Sequence, residues 1–481
     1  MCGPRLTMAD ADRRADADHG PTPITGRRRS RADAAGHGPK GVVVTVPRIV
    51  IVGGGFAGYG TARRLERTLR PTEAAISLVA PFGYTLYQPL LPEVASGTLD
   101  PRAIAGPLHK LLRRTRIVPG IALGVDLHDR TVTVNKIDGE RTTLRYDRLV
   151  LCPGSVTRTF DVPGLKEYGH GMKNLAEAVY LRDHVIAQLE LAAATHDADE
   201  RAKRLGFIVV GGGYSGVETT ANLQLLTYKA LGRFPRIDPA MLSWTLLDIA
   251  PQLLPELGER LGEVAMRTLR RRGVDVRLGV SVQRLSADTA LLTDGRLLPC
   301  RTLIWTAGVK PAPVVATLDA PTEKGRLVVG ADLRLAGFPE VVALGDAAAV
   351  PDLVKGGGAV CPPTAQHATR QARVAAANIA SGLRGRREVR LYAHRDLGLV
   401  VDLGGAQAVA RPLGVDLTGP VAQALTRGYH LSTLPGFRAK ARVLGQWAVH
   451  AVAGDDLIRL GFLDPRTGAA IDLGHTVATP V

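Results

Sequence analysis

Six glycines in two matching sets carry the first chemistry legible in this 481-residue chain. Gly53, Gly55 and Gly58 stand in Pro47-Arg-Ile-Val-Ile-Val-Gly-Gly-Gly-Phe-Ala-Gly58; Gly211, Gly213 and Gly216 stand in Leu205-Gly-Phe-Ile-Val-Val-Gly-Gly-Gly-Tyr-Ser-Gly216. Each set ends a short β-branched run and opens a helical pattern: Ala62, Leu65 and Leu69 after the first, and Val217, Ala221, Leu223 and Leu226 after the second. A strand delivers the chain to a tight turn, the missing Cβ atoms let backbone approach a pyrophosphate, and the helix start offers it free N–H groups and a positive dipole end. One such motif is weak evidence. Two in the same strand–turn–helix setting predict two dinucleotide-binding units.

The residue closing the next strand separates the two units. Ser243-Trp-Thr-Leu-Leu-Asp248 ends on a carboxylate placed to accept from an adenosine ribose and to repel a 2′-phosphate, so this unit is expected to prefer NADH over NADPH. The plainer reading is that Asp248 caps the following turn. Ile76-Ser-Leu-Val-Ala80 ends on alanine, so either another group holds that ribose or the site is altered. Two dinucleotide sites on one chain pair most economically as a flavin, FAD, with the NADH that reduces it. Val341-Val-Ala-Leu-Gly-Asp346 reads as a strand running into a helix start, where Asp346 can take a ribityl hydroxyl and the helix dipole can face the flavin. Alone, Gly-Asp there is an ordinary cap.

Composition bounds the elements that position these residues. At roughly 100 to 200 residues per domain the chain holds two to four domains, which excludes a single small binding module. Hydrophobic residues make up 45% and charged residues 22%, near the soluble average, while 54 glycines demand many tight turns. The net charge of +16 suggests anionic partners such as nucleotides or acidic lipid. Cys2, Cys152, Cys300 and Cys361 form no close pair, so a disulfide scaffold, a zinc ribbon and a local redox dithiol lack support; a reducing cytoplasm and no metal site are expected. No apolar run approaches the ~18 to 20 residues of a spanning helix. Residues 1–46 read as a disordered basic tail whose cluster Arg27, Arg28, Arg29 and Arg31 has no aromatic company, so nucleic-acid binding is not expected.

With these motifs in place the chain resembles the type II NADH dehydrogenases, the single-chain, non-proton-pumping NADH:quinone oxidoreductases. The match runs from about Pro47 into the C-terminal region through GGGFAG, Tyr87-Gln-Pro-Leu-Leu91, Leu151-Cys-Pro-Gly-Ser155, GGGYSGVE to Glu218, Leu253-Leu-Pro-Glu256, Ile304-Trp-Thr-Ala-Gly308, Gly345-Asp346 and Ala365-Gln366-His-Ala368. YQPLL and AQxA are its most telling parts. The resemblance implies an α/β fold with two Rossmann-like domains: FAD-binding residues 47–165 and 325–398, an inserted NADH domain at 166–324, and a C-terminal docking arm at 399–481. It implies FAD between the first glycine motif and Asp346, a nicotinamide stacked on the flavin, Glu218 beside both rings, and Gln366 on the helix that approaches a quinone. Hydride would pass from NADH to the flavin, and two electrons onward. In the AQxAxQQ pattern the first glutamine of the final pair is Arg370 here, followed by Gln371. Leu397 stands before Gly398 where the family often has Lys or His, with His394 and Arg395 close by. Without a cysteine pair, disulfide and sulfide chemistry fit poorly, leaving quinone, oxygen or a carrier protein as acceptor.

Between Leu417 and Gly454 there is no Asp or Glu, while Arg427, Arg438, Lys440 and Arg442 are present. Val443, Leu444, Trp447, Ala448, Ala451 and Val452 recur at helical spacing, a basic amphipathic pattern whose Trp would sit at an anionic membrane interface; the other reading packs this stripe on the flavin domain. Gly428, Pro435 and Gly436 are expected to interrupt the segment before it. The chain is therefore expected in the cytoplasm, peripheral on the inner face of the cell membrane, with a homodimer left open. Two other functions stay open: a soluble NADH-dependent reductase of a ferredoxin-like carrier, and a low-turnover NADH-sensing flavoprotein.

Overall fold

The computed structural model describes residues 46–394, 397–454 and 456–461. The tail cluster Arg27–Arg31 and Arg395 lie outside the described residues. The first apolar run forms β1 (Arg48–Val52), whose Ile49, Val50, Ile51 and Val52 are all buried. It runs unbroken rather than alternating because the strand is paired in parallel on both sides and covered on both faces. Helix α1 (Phe56–Thr68) follows the glycine turn, then β2 (Ala75–Ala80) and the short helix α2 (Leu91–Ala95). An antiparallel ribbon, β3 (Arg116–Asp126), β4 (Thr131–Lys136) and β5 (Arg141–Arg145), leads to β6 (Arg148–Leu151). Ile49 sits opposite Ile76 of β2 on one side and Arg148 of β6 on the other. Beyond β6 the sheet is completed from far downstream by Phe338–Ala343, pairing Val342 with Val150.

The second glycine motif repeats the construction. β7 (Gly206–Val210), entirely buried, opens α3 (Tyr214–Ala230) and pairs in parallel with β8 (Ser243–Asp248); β9 (Val274–Leu278) and β10 (Thr302–Trp305) extend this sheet, with Gly169–Gly171 on its edge. Phe207 and Trp244 stack across β7 and β8 with centroids 4.7 Å apart, and the Trp244 indole N–H donates to Thr227 of α3 at 3.0 Å. The chain leaves the first sheet and returns to it along one antiparallel pair, Ser155–Thr157 against Val309–Pro311. Val314, Val315 and Leu318 already pack in the core of the first sheet, so the return crossing precedes Gly325, where the sequence reading placed it.

Helix α4 (Ala365–Leu383) then lies against α1, close enough that a Cβ on Gly60 would come within 3.1 Å of the Ala372 methyl. The remaining segment is an antiparallel meander, β11 (Val400–Asp402), β12 (Ala408–Ala410) and β13 (Leu417–Thr418), followed by α5 (Gly419–Thr433) and α6 (Phe437–Ala453). Two expectations are corrected here. Gly428 lies inside an unbroken α5, since a solvent-facing glycine costs a helix only ~1 kcal/mol, and the interruption falls at Pro435–Gly436. Trp447 is not an interfacial anchor: with Val443 it points inward and joins the core formed by α2, α3 and the meander. Leu444, Val449 and Val452 of the same helix stay exposed.

Candidate active site

In both glycine turns the last glycine lies directly over the carbonyl of the first, so that a Cβ on Gly58 or Gly216 would collide with the backbone oxygen of Gly53 or Gly211. Gly53 (φ 110°) and Gly211 (φ 122°) adopt backbone conformations that disfavour a side chain. The middle members, Gly55 and Gly213, start α1 and α3 with no side-chain cap, no acidic residue in the first turn, and open space where a Cβ would be. Both helix starts thus keep free N–H donors facing an accessible cleft, the requirement for seating a pyrophosphate.

Asp248 ends β8 under the second turn: one carboxylate oxygen accepts from the Gly212 N–H and the other from the Ala250 N–H at 2.7 Å. It therefore caps the turn, and a carboxylate so engaged keeps further acceptor capacity. Ala80 holds the corresponding place under the first turn, with its methyl 2.8 Å from where a Gly54 Cβ would stand. The Gly345–Asp346 helix start is corrected: Gly345–Ala347 is one 3-10 turn, followed by strand pairing at Ala348–Ala349, and is too short to present a helix dipole. Asp346 accepts from the Ser155 hydroxyl, and the Lys173 ammonium lies 4.0 Å from its carboxylate and 3.0 Å from Ser155 Oγ. Gln371 fixes this turn by accepting from the Gly345 N–H at 2.8 Å.

A cavity of about 1060 Å³ opens between the two glycine turns and the start of α4. Phe56, Tyr87, Tyr214, Glu218, Trp305 and Gln366 line it, so it joins residues that follow both turns to the residue the sequence placed near an acceptor. The Gln366 amide N–H donates to the Gly398 carbonyl at 2.9 Å, and Leu397 lines the same wall. Arg63, Arg64, Arg67, Arg370, Arg373 and Lys440 crowd another part of its lining. Burial and its arginine neighbours lower the pKa of Arg64, and Arg370 Nη1 lies 3.0 Å from His394 Nδ1. Tyr87 Oη contacts His430 Nδ1 at 3.0 Å and Thr433 Oγ1 at 2.5 Å; burial pushes the phenol up and the imidazole down to about 4.

Among the described residues that line this cavity, Glu218 is the only carboxyl. Its Oε1 accepts from the Asp402 N–H at 3.0 Å, and Asn222 bridges back by donating to Asp402 Oδ2 at 3.3 Å. Glu93 of α2 lies behind them and accepts from the Trp447 indole N–H at 2.5 Å. All three carboxyls are buried, and burial raises each pKa above the usual carboxylate range, mutual repulsion adding to the shift for Glu218 and Glu93. Sequence reasoning reached Glu218 and Gln366 but missed Lys173, His430, Glu93 and Asp402. Only Tyr87, inside YQPLL, had a motif to mark it; the others meet through contacts between residues tens to hundreds of positions apart. Cys152, Cys300 and Cys361 are buried, burial pushes each thiol up, and none lines the cavity.

Residues 47–372 match the pyridine nucleotide-disulphide oxidoreductase family. The type II NADH:quinone oxidoreductase Ndh of Mycobacterium tuberculosis is 31% identical over 417 residues, covering 84% of this chain and 87% of that protein. The demethylphylloquinone reductase NdbB of Synechocystis is 30% identical, covering 83% and 97%. A solved structure of NDH2 from Plasmodium falciparum in complex with NADH shares the fold, with a TM-score of 0.79 at 18% identity over 86% of this chain and all of that one.

The buried carboxyls set a pH dependence of stability. A carboxyl whose folded pKa is raised binds more protons folded than unfolded, so the stability it confers is fully present below about pH 4 and is lost as pH rises through the folded value. Denaturant unfolding should show stability falling across neutral pH, by up to ~1.4 kcal/mol per pH unit per carboxyl. In Glu93→Gln the fall should be shallower; an unchanged slope would mean Glu93 keeps an ordinary pKa.

Proposed function

The chain belongs to the type II NADH:quinone oxidoreductases, within the pyridine nucleotide-disulphide oxidoreductase family, and we propose that it carries two electrons from NADH through FAD to a quinone. The observation that carries this reading is the single cavity, which opens on the residues after both dinucleotide turns and on Gln366 of α4. FAD, when bound, supplies the two-electron chemistry that links a hydride donor to a quinone. Its pyrophosphate would rest on the start of α1 at Gly53, Gly55 and Gly58, and Asp346, fixed by Ser155 and Lys173, would hold the ribityl chain. NADH would rest on Gly211, Gly213 and Gly216 with its adenosine ribose on Asp248. Glu218 then lies beside the reacting rings as a proton-holding group, and Gln366, steadied by Gly398, orients the acceptor. Apolar walls from Phe56, Trp305 and Leu397 keep water away from the transfer.

A membrane is where such an acceptor would be met. Among the described residues no helix is long and apolar enough to cross one. The exposed Val421 and Leu425 of α5 and Phe437, Leu444, Val449 and Val452 of α6 are interleaved with Arg438, Lys440 and Arg442. This face suits an anionic bilayer surface, which supports a peripheral seat on the inner face of the cell membrane. Phe437 and Lys440 also line the cavity, so a quinone could enter from the face that docks.

Two measurements test these assignments. Asp248→Ala should narrow the preference for NADH over NADPH about tenfold or more, because the carboxylate no longer opposes the 2′-phosphate. Equal wild-type kcat/KM for the two nucleotides would refute that role. With quinone embedded in anionic vesicles, Phe437→Glu should weaken vesicle binding and raise the apparent KM while leaving reduction of a water-soluble dye unchanged. Turnover with an acidic carrier protein but not with quinone would overturn the quinone reading.

A further inference from the structure

Reduction of a quinone by NADH consumes a proton beyond the hydride: NADH gives two electrons and one hydrogen, whereas a quinol holds two. That second proton has to reach the part of the cavity walled by Phe56, Trp305 and Leu397. Three carboxyls buried with only the guanidiniums of Arg427 and Arg272 near them are costly to keep, since well-packed apolar residues in such places are commonly as stable or better. The arrangement here is ordered in depth. Glu218 lines the cavity, and its carboxyl accepts from the Asp402 N–H; Asn222 ties the Glu218 backbone carbonyl to the Asp402 carboxyl; Glu93 lies in the same cluster beneath Trp447. On the outer side of Trp447 is a second, shallow cavity of about 390 Å³ lined by Arg427, Leu444, Trp447 and neighbours on α5 and α6.

An independent feature of the same cluster points to water within it. Gln423, buried on α5 against Asp402, has an amide oxygen without a protein partner, and Arg427 one turn later has a buried Nε without one. A donor and an acceptor left over on one helix face are the pair a bridging water satisfies. The charged and titratable groups facing the cluster are few. Arg427 stacks its guanidinium on Trp447 at 5.1 Å and favours the ionised forms of Glu93 and Asp402; Arg272 faces Asp402; Tyr87 faces Glu218.

We propose that Glu93 and Asp402, with water at Gln423 and Arg427, form a proton relay that runs from the outer α5–α6 cavity to Glu218 and resupplies it during quinone reduction. The inference rests on the function proposed above. At the inner end the Glu218 O–H bond breaks as an O–H bond forms on the quinone oxygen, while the two electrons come from NADH. Glu218, left as a carboxylate, regains a proton from Asp402, Asp402 from Glu93, and Glu93 from solvent, so the relay returns to its starting state with one proton consumed. Asp402 and Glu93 touch no reacting atom and act through Glu218; they are positioning residues of the proton path.

The test separates the two half-reactions in FAD-loaded protein. Under anaerobic conditions NADH should bleach the flavin at similar rates in wild type, Glu93→Gln and Asp402→Asn, because that step needs no proton from solvent. Reoxidation by a soluble quinone should slow about tenfold or more in both variants. The alkaline fall of that rate should move to lower pH, and the rate should become sensitive to D2O; Glu93→Asp should recover most of it. If Asp402→Asn fails to fold, Glu93→Gln carries the test, with its unfolding midpoint as control. Wild-type reoxidation rate and pH profile in well-folded Glu93→Gln would overturn the relay, as would equal slowing of both half-reactions at every pH. A wild-type flavin that NADH does not bleach would instead overturn the function on which the relay rests.

Discussion

A backbone carbonyl pressed beneath a residue without a Cβ is the contact on which both cradles depend. Gly58 over Gly53 and Gly216 over Gly211 bring each helix down onto its own strand, which turns the helix start toward the cleft beyond the carboxyl ends of the parallel strands. Because β1 and β7 are each central in their sheets, the two starts are held by the most buried strands available. The crossing pair Ser155–Thr157 and Val309–Pro311 carries the chain between sheets, and residues that follow each dinucleotide turn line one cavity.

The third layer closes that cavity and introduces an electrostatic cost the first two lack. Helix α2 comes from the first glycine unit, α3 from the second and α6 from the C-terminal segment, and their apolar faces form one core. Into it the fold places Glu93, Glu218 and Asp402, with Trp447 and Asn222 supplying hydrogen bonds that soften the burial. Such groups hold protons where ordinary carboxyls do not, which a reaction taking up a proton in a dry cavity can use. The same C-terminal helices present Phe437 and Lys440 both to the cavity and to the exterior, so the entrance and the docking face are one piece of structure.

Local patterns in the chain announced the parts that local physics decides. β1, α1, β7 and α3 followed from β-branched runs and glycine spacing, and Asp248 from its place at a strand end. The Gly345–Asp346 turn was misread as a helix start because glycine and aspartate signal a cap equally well before a single 3-10 turn. Trp447 was misread because periodicity marks a helix face but not what covers it; Val443 and Trp447 turn inward while Leu444 one position along does not. Glu93 and Asp402 carried no signal at all, since a carboxyl six residues past Tyr87 becomes unusual only when a strand three hundred residues later packs beside it. The acceptor side was legible as far as Gln366, and its departures, Arg370 and Leu397, both line the cavity.

Whether this cavity joins NADH oxidation to quinone reduction through one flavin can be read in a single anaerobic mixing experiment. Protein loaded with FAD is mixed with one equivalent of NADH and then with one equivalent of quinone while flavin absorbance is followed. The flavin should bleach rapidly on the first addition and recover fully on the second, with quinol formed in equal amount. Bleaching that quinone fails to reverse, or a flavin that NADH leaves oxidised, would contradict it.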